Sequence, residues 1–110
     1  TLFRSLNSIG VKDIILDPGY GFGKDIIAGN YSLLSAQQQL KDTFNLPLLV
    51  CISRKRMVWR LLDSSADEAL NGTTVLNTLA LERGADILRV HDVRAAVEAV
   101  KIFTELRNNS

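Results

Sequence analysis

The sequence predicts an α/β fold made of three consecutive parallel strand–helix units. Three observations carry that prediction. Short apolar runs stand at residues 13–16, 48–52 and 86–90, helix-length segments with one apolar face separate and follow them, and each run ends in a cluster of polar or charged residues. Connections of helix length join parallel strands, and right-handed crossovers bring the strand ends to one edge of the sheet.

The elements follow in order. Leu2, Phe3, Leu6 and Ile9 sit at helical spacing, so the chain is expected to open inside a helix of something longer, Thr1 not being a start methionine. The run 13–16 stops at Asp17-Pro18-Gly19, as a buried strand stops at a turn. From 26 to 44, Ile26, Ile27, Leu33, Leu34, Leu40 and Phe44 stripe one helix, with Gln37, Gln38 and Lys41 as its polar surroundings. Asn45 and Pro47 end it. The run 48–52 is wholly apolar, as expected of a strand buried on both faces, and ends at Ser53-Arg54-Lys55. A short helical turn over 57–62 and a polar break precede a long helix over 66–83, which Gly84 stops. The third strand, 86–90, closes on His91-Asp92. Val93, Ala96, Val97, Val100, Phe103 and Leu106 then stripe the last helix, with Asp92 as its expected N-cap.

Composition excludes several classes of function. With 110 residues the chain holds one domain's worth of core at most, taken here as a single unit, 1–110. Lys and Arg number 13 against 12 Asp and Glu, so no surplus charge draws nucleic acid or anionic lipid. No apolar run reaches the roughly 18 residues that span a bilayer, and no basic stretch leads into an apolar one at the start, which leaves the cytoplasm as the expected location. The single cysteine, Cys51, has no partner for an internal disulfide.

Each strand-end cluster admits a plain reading and a functional one. Asp17-Pro18-Gly19 is common turn punctuation, yet Gly19, Gly21 and Gly23 alternating with Tyr20 and Phe22 also make a backbone that can approach a flat ligand between apolar rings. Lys24 is followed by Asp25, so this is not a phosphate-binding P-loop. Ser53-Arg54-Lys55-Arg56 reads equally as a solvated basic turn or as a cation source at the edge where α/β folds bind ligands. Arg89 and His91 alternate with Val90, so both point to one side and together suit an anion.

In order and spacing, Asp17-Pro18-Gly19-Tyr20-Gly21-Phe22-Gly23-Lys24, Ser53-Arg54-Lys55 and Arg89-Val90-His91-Asp92-Val93 resemble the last three strand-end motifs of dihydropteroate synthases. The resemblance implies the C-terminal portion of a (β/α)₈ TIM barrel, from an enzyme that condenses a dihydropterin pyrophosphate with p-aminobenzoate and releases pyrophosphate. It implies that Asp17 meets the pterin edge, that Lys55 contacts the pterin and positions p-aminobenzoate, and that Ser53 meets the benzoate carboxylate. Phe22 and Arg54 line the pocket, and Arg89 and His91 hold the leaving pyrophosphate. It further implies Mg²⁺, with its main ligand outside these residues and no metal site of the chain's own, and a homodimer through C-terminal helices such as 66–83. Two positions depart from the family's pattern: Cys51 stands where glycine is usual, and Arg56 where a small residue is common. The family's earlier strands and N-terminal loops have no counterpart here, so the isolated chain is expected to be inactive. The alternatives are a pterin-binding domain that passes a methyl group from methyltetrahydrofolate to a corrinoid, against which the Arg89/His91 pair argues, and a non-catalytic anion-binding module.

Overall fold

The computed structural model describes residues 14–21 and 25–110. The opening apolar positions from Leu2 to Ile9, Asp13 at the start of the first strand, and Phe22 lie outside the described residues.

Two parallel strands form the centre, β1 (Leu49–Val50) and β2 (Ile87–Leu88), with Leu49 opposite Ile87 and Val50 opposite Leu88. The first expected strand contributes a single parallel bridge, Leu16 to Leu48, made by Leu16 N–H on the Pro47 carbonyl at 2.8 Å and Leu49 N–H on the Leu16 carbonyl at 2.9 Å. Both strands are shorter than their apolar runs because pairing ends where the chain turns away. Arg89 N–H still reaches the Val50 carbonyl at 3.0 Å, but His91 N–H bonds the Ser53 hydroxyl instead. Burial also alternates along 48–52. Leu48, Val50 and Ile52 are fully buried, whereas Leu49 and Cys51 are partly exposed, so the expected burial on both faces is corrected to burial on one.

Helices cover the buried face. Asp25 accepts the N–H groups of Ile27 and Ala28 and so starts α1 (Ala28–Ser35), which α2 (Gln37–Phe44) continues after an irregular residue at Ala36. The single expected helix over 26–44 is therefore two. The interruption adjoins Gln37, placed by the sequence on a polar face yet fully buried. Its amide nitrogen donates to the Ala80 and Arg83 carbonyls at 3.0 and 3.1 Å, and its oxygen accepts from the Tyr20 hydroxyl at 2.7 Å. A buried amide is stable only when its bonds are made, and these three tie α2 to the end of the next long helix and to the loop after Leu16. Asn45, in the left-handed region, ends α2 with its N–H on the Lys41 carbonyl.

Beyond β1 lie α3 (Arg56–Trp59), a 3₁₀ turn at Ala66–Glu68, and α4 (Leu70–Glu82), so the helix expected over 66–83 begins later and follows a separate tight turn. Gly84, at φ +93°, closes α4: Gly84 N–H reaches the Leu81 carbonyl and Ala85 N–H the Ala80 carbonyl, the paired bonds of a Schellman motif. Met57, Val58, Ala69, Leu76 and Ala80 complete the core with Leu34 and Tyr20.

The last helix, α5 (Val93–Asn108), packs on α4 through small side chains, Ala96 and Ala99 being its buried residues. Its larger apolar positions stay outside, with Val93 64%, Val97 45% and Val100 40% exposed. They line an open groove of about 520 Å³ beside Leu88 and Val90. The valines of the apolar stripe are thus in place but, among the described residues, uncovered, while Ala96 is buried. No helix among them is long and apolar enough to cross a membrane.

Replacing Gln37 by Leu leaves the Tyr20 hydroxyl and the Arg83 carbonyl without these bonds. The expected loss of unfolding free energy in urea is about 2–4 kcal/mol, from the ~1–3 kcal/mol cost of each buried unmet group. Adding Tyr20→Phe should restore part of it, since two apolar partners leave no hydroxyl to satisfy. A single-variant loss below about 0.5 kcal/mol would contradict this role for Gln37.

Candidate functional site

Parallel pairing sends Asp17, the loop after β1 and the loop after β2 to the same edge of the sheet. There Cys51, Ser53, Lys55, Arg89 and His91 line one cleft of about 160 Å³. Alternation along β2 separates its two sides as expected: Arg89 and His91 face this cleft, while Leu88 and Val90 face the apolar groove. A groove of about 510 Å³ between α4 and α5 is larger but is lined by Leu70, Thr74, Thr78, Ala95 and Ile102 among others, with no cluster of cations.

Each predicted residue other than Phe22, which lies outside the described residues, has a definite position. Ser53 is 8% exposed, and its hydroxyl accepts from His91 N–H at 3.2 Å, tying the two loops together. The Lys55 ammonium donates to the Tyr20 carbonyl at 2.8 Å, with its stem against Gly21, where a Cβ would come within 3.2 Å of the lysine's Cδ. Gly21 sits at φ +87° and its N–H bonds the buried Asn30, so this close approach needs glycine twice over. Arg89 and His91 are exposed on the cleft. Asp17 is exposed at the same edge but outside the cleft lining, its Oδ1 accepting Gly19 N–H at 2.9 Å.

Three expectations are corrected. Tyr20 is no wall for a ligand: it is 1% exposed in the core, and burial, opposed weakly by the Arg83 charge, pushes its phenol well above the ordinary range. Arg54 does not line the cleft. Its guanidinium makes a two-point ion pair with Asp92, Nε to Oδ2 at 2.9 Å and Nη2 to Oδ1 at 3.0 Å, and its Nη1 donates to the Ala66 and Asp67 carbonyls. Asp92 therefore precedes α5 without capping it, because its carboxylate is committed to Arg54. Sequence reasoning missed this pair and the burial of Gln37, since neither partner's spacing along the chain announces the contact.

The lining supplies cations, a thiol and a hydroxyl but no carboxylate, and no group of three or more His, Cys, Asp or Glu able to hold a metal ion exists among the described residues. These residues do not fit Mg²⁺, which takes oxygen ligands in octahedral array. They fit a multiply charged oxyanion, for which arginine offers a planar fork and lysine a point charge.

Comparison with known proteins follows the same lines. The family model described as pterin binding enzyme matches residues 3–91. The chain is 45% identical over 94 residues to the dihydropteroate synthase of Escherichia coli K12, a match covering 86% of this chain and 33% of that protein. It is 35% identical over 97 residues to that of Bacillus subtilis, covering 88% and 33%. The solved Yersinia pestis dihydropteroate synthase superposes with a TM-score of 0.91 at 39% identity, over 97% of this chain and 50% of that one. A Coxiella burnetii dihydropteroate synthase solved in complex with pteroic acid gives 0.90 at 34%, over 98% and 40%. The chain spans about a third of the length of these curated relatives.

The Asp92 carboxyl is held below its ordinary range chiefly by the hydrogen bond from Arg54, with burial opposing and the charges of Arg54 and His91 assisting. A carboxyl lowered in the folded state stabilises fully above its unfolded pKa and loses that contribution as pH falls through the folded one. Urea midpoints should therefore fall on acidification below about pH 4. Asp92→Asn, already without the pair, should show a shallower acid limb than the unaltered chain. Parallel limbs would contradict the assignment.

Proposed function

This chain belongs to the pterin binding enzyme family, and on that premise we propose that it is the C-terminal part of a dihydropteroate synthase, carrying the half of the site that holds the leaving group. The observation that carries the reading is the single cleft in which the ends of two parallel strands gather Lys55, Arg89 and His91. In the proposed reaction the amine of p-aminobenzoate forms a C–N bond to the pterin methylene, the C–O bond to pyrophosphate breaks, and the amine loses a proton. Charge builds on the departing oxyanion. Arg89 and His91 donate to it, which lowers the barrier where charge develops, and Lys55 supports the substrates beside them. Ser53 offers its hydroxyl to the benzoate end, and Asp17, at the same sheet edge, accepts from the amino and ring-nitrogen edge of the pterin. The Mg²⁺ that the family resemblance implies is assigned to ligands outside this chain, because the cleft offers it no carboxylate.

The finer architecture belongs to the same proposal. The bridge at Leu16 and the strands β1 and β2 are read as three successive strands of a (β/α)₈ barrel, each followed by helix. The uncovered valines of α5 and the outer edge of β2 are then where the rest of the barrel packs, which agrees with a chain a third as long as its curated relatives. Association of two copies through the C-terminal helices is proposed as well: Val75 is 50% exposed on α4, while Leu76 and Ala80 face the core. The 110 residues alone are expected to bind without turnover.

The test is a chimera in which this chain replaces the matching segment of the Escherichia coli relative. It should release pyrophosphate only when p-aminobenzoate is supplied, and Arg89→Ala should slow it by ~10²–10³, the usual cost of removing one donor to a developing oxyanion. An unchanged rate in Arg89→Ala would remove the leaving-group assignment.

A further inference from the structure

We infer that Arg54 and Asp92 are a positioning pair: they contact no substrate, and they hold the two strand-end loops in the one register that lets Lys55, Arg89 and His91 share an anion. Arg54 lies between two cleft residues, Ser53 and Lys55, yet its own side chain leaves in the opposite direction. Its backbone makes this possible. At φ +54° it occupies the left-handed region, which side-chain-bearing residues avoid, and there its N–H donates to the Oγ1 of buried Thr73 at 3.0 Å. Glycine or asparagine would serve a bare turn with less strain. The arginine's use at this position lies in its side chain, whose donors reach Asp92 at two points and the carbonyls of Ala66 and Asp67.

The partners fix the consequence. Asp92 directly follows His91, and His91 N–H bonds Ser53 Oγ, the residue before Arg54. Two adjacent residues of one loop therefore grip two adjacent residues of the other, through a forked ion pair and a hydrogen bond. Arg54 also ties the 3₁₀ turn that leads into α4, so three segments meet on one guanidinium. A fork matched to both carboxylate oxygens sets orientation as well as distance, which a lysine cannot do.

The affinity arm of the test rests on the pyrophosphate reading above; a second arm does not. Binding of inorganic pyrophosphate to the 110-residue chain is measured by calorimetry for the unaltered protein, Asp92→Asn, Arg54→Lys and Arg54→Met, each checked for folding by circular dichroism at the same temperature. Simple electrostatics predicts that removing the Asp92 charge near an anion site tightens binding. The positioning pair predicts the opposite, a weakening of about tenfold to a hundredfold in Asp92→Asn, the range by which losing the partners that orient metal-binding side chains weakens metal sites. Arg54→Lys should weaken binding similarly despite keeping its charge. Unchanged or tighter binding in folded Asp92→Asn, or unaltered affinity in Arg54→Lys, overturns the proposal. If the unaltered chain binds no pyrophosphate, the leaving-group reading fails, and the pair is judged on amide hydrogen exchange. His91 N–H should then exchange at least about tenfold faster in Arg54→Lys and in Arg54→Met, if the latter folds, because its bond to Ser53 loosens with the ion pair. Unchanged protection overturns the proposal on that arm.

Discussion

Leu48 is the point on which the described structure hangs. Its side chain is fully buried, its N–H donates to the Asp86 carboxylate at 2.8 Å, its carbonyl accepts from both Asp86 and Ile87, and it bridges to Leu16 on the other side. Three segments far apart in sequence are thereby set parallel within two residues of one another. Lys41 strengthens the junction, donating to the same Asp86 carboxylate and to the Leu46 carbonyl. Burial opposes ionisation of Asp86, but the Lys41 hydrogen bond, the Leu48 N–H and the charges of Lys41 and Arg107 together hold its carboxyl below the ordinary range. Parallel pairing at this end decides what happens at the other, because strands that start together also finish together.

At the finishing edge the chain faces a different problem. Cations gathered in one cleft repel one another and have no hydrophobic reason to stay. Two of the lining residues are held from behind, Lys55 on the Tyr20 carbonyl and His91 through its N–H on Ser53, and outside the cleft Arg54 on Asp92 joins the loops that carry them. The side chains that line the cleft and the one that holds the frame alternate along one loop, Ser53 and Lys55 toward the cleft and Arg54 away from it. Arg54 itself sits in the left-handed region, at φ +54°.

Much of this was readable in the residues themselves. Apolar runs bounded by turn residues located the strands, the period of two along 89–91 placed Arg89 and His91 on one side, and Gly84 marked the end of α4. What escaped the sequence were contacts between residues distant along the chain. Gln37 looks like surface until Tyr20 and the end of α4 arrive to meet its amide, 17 and 43 positions away. Arg54 looks like a binding residue until Asp92, 38 positions on, claims it. Periodicity reports which face a residue lies on, but only folding decides which polar group waits there. The stripe on α5 shows the converse: its pattern is apolar, yet among the described residues Val93, Val97 and Val100 stay exposed.

If strand-end loops locked to each other from behind present Lys55, Arg89 and His91 to one multiply charged oxyanion, as proposed, a crystal structure with inorganic pyrophosphate will hold the anion in the cleft against the Arg89 guanidinium and the His91 ring, with Arg54 still paired to Asp92. Pyrophosphate bound elsewhere, or Arg54 swung into the cleft to meet it, would refute that arrangement.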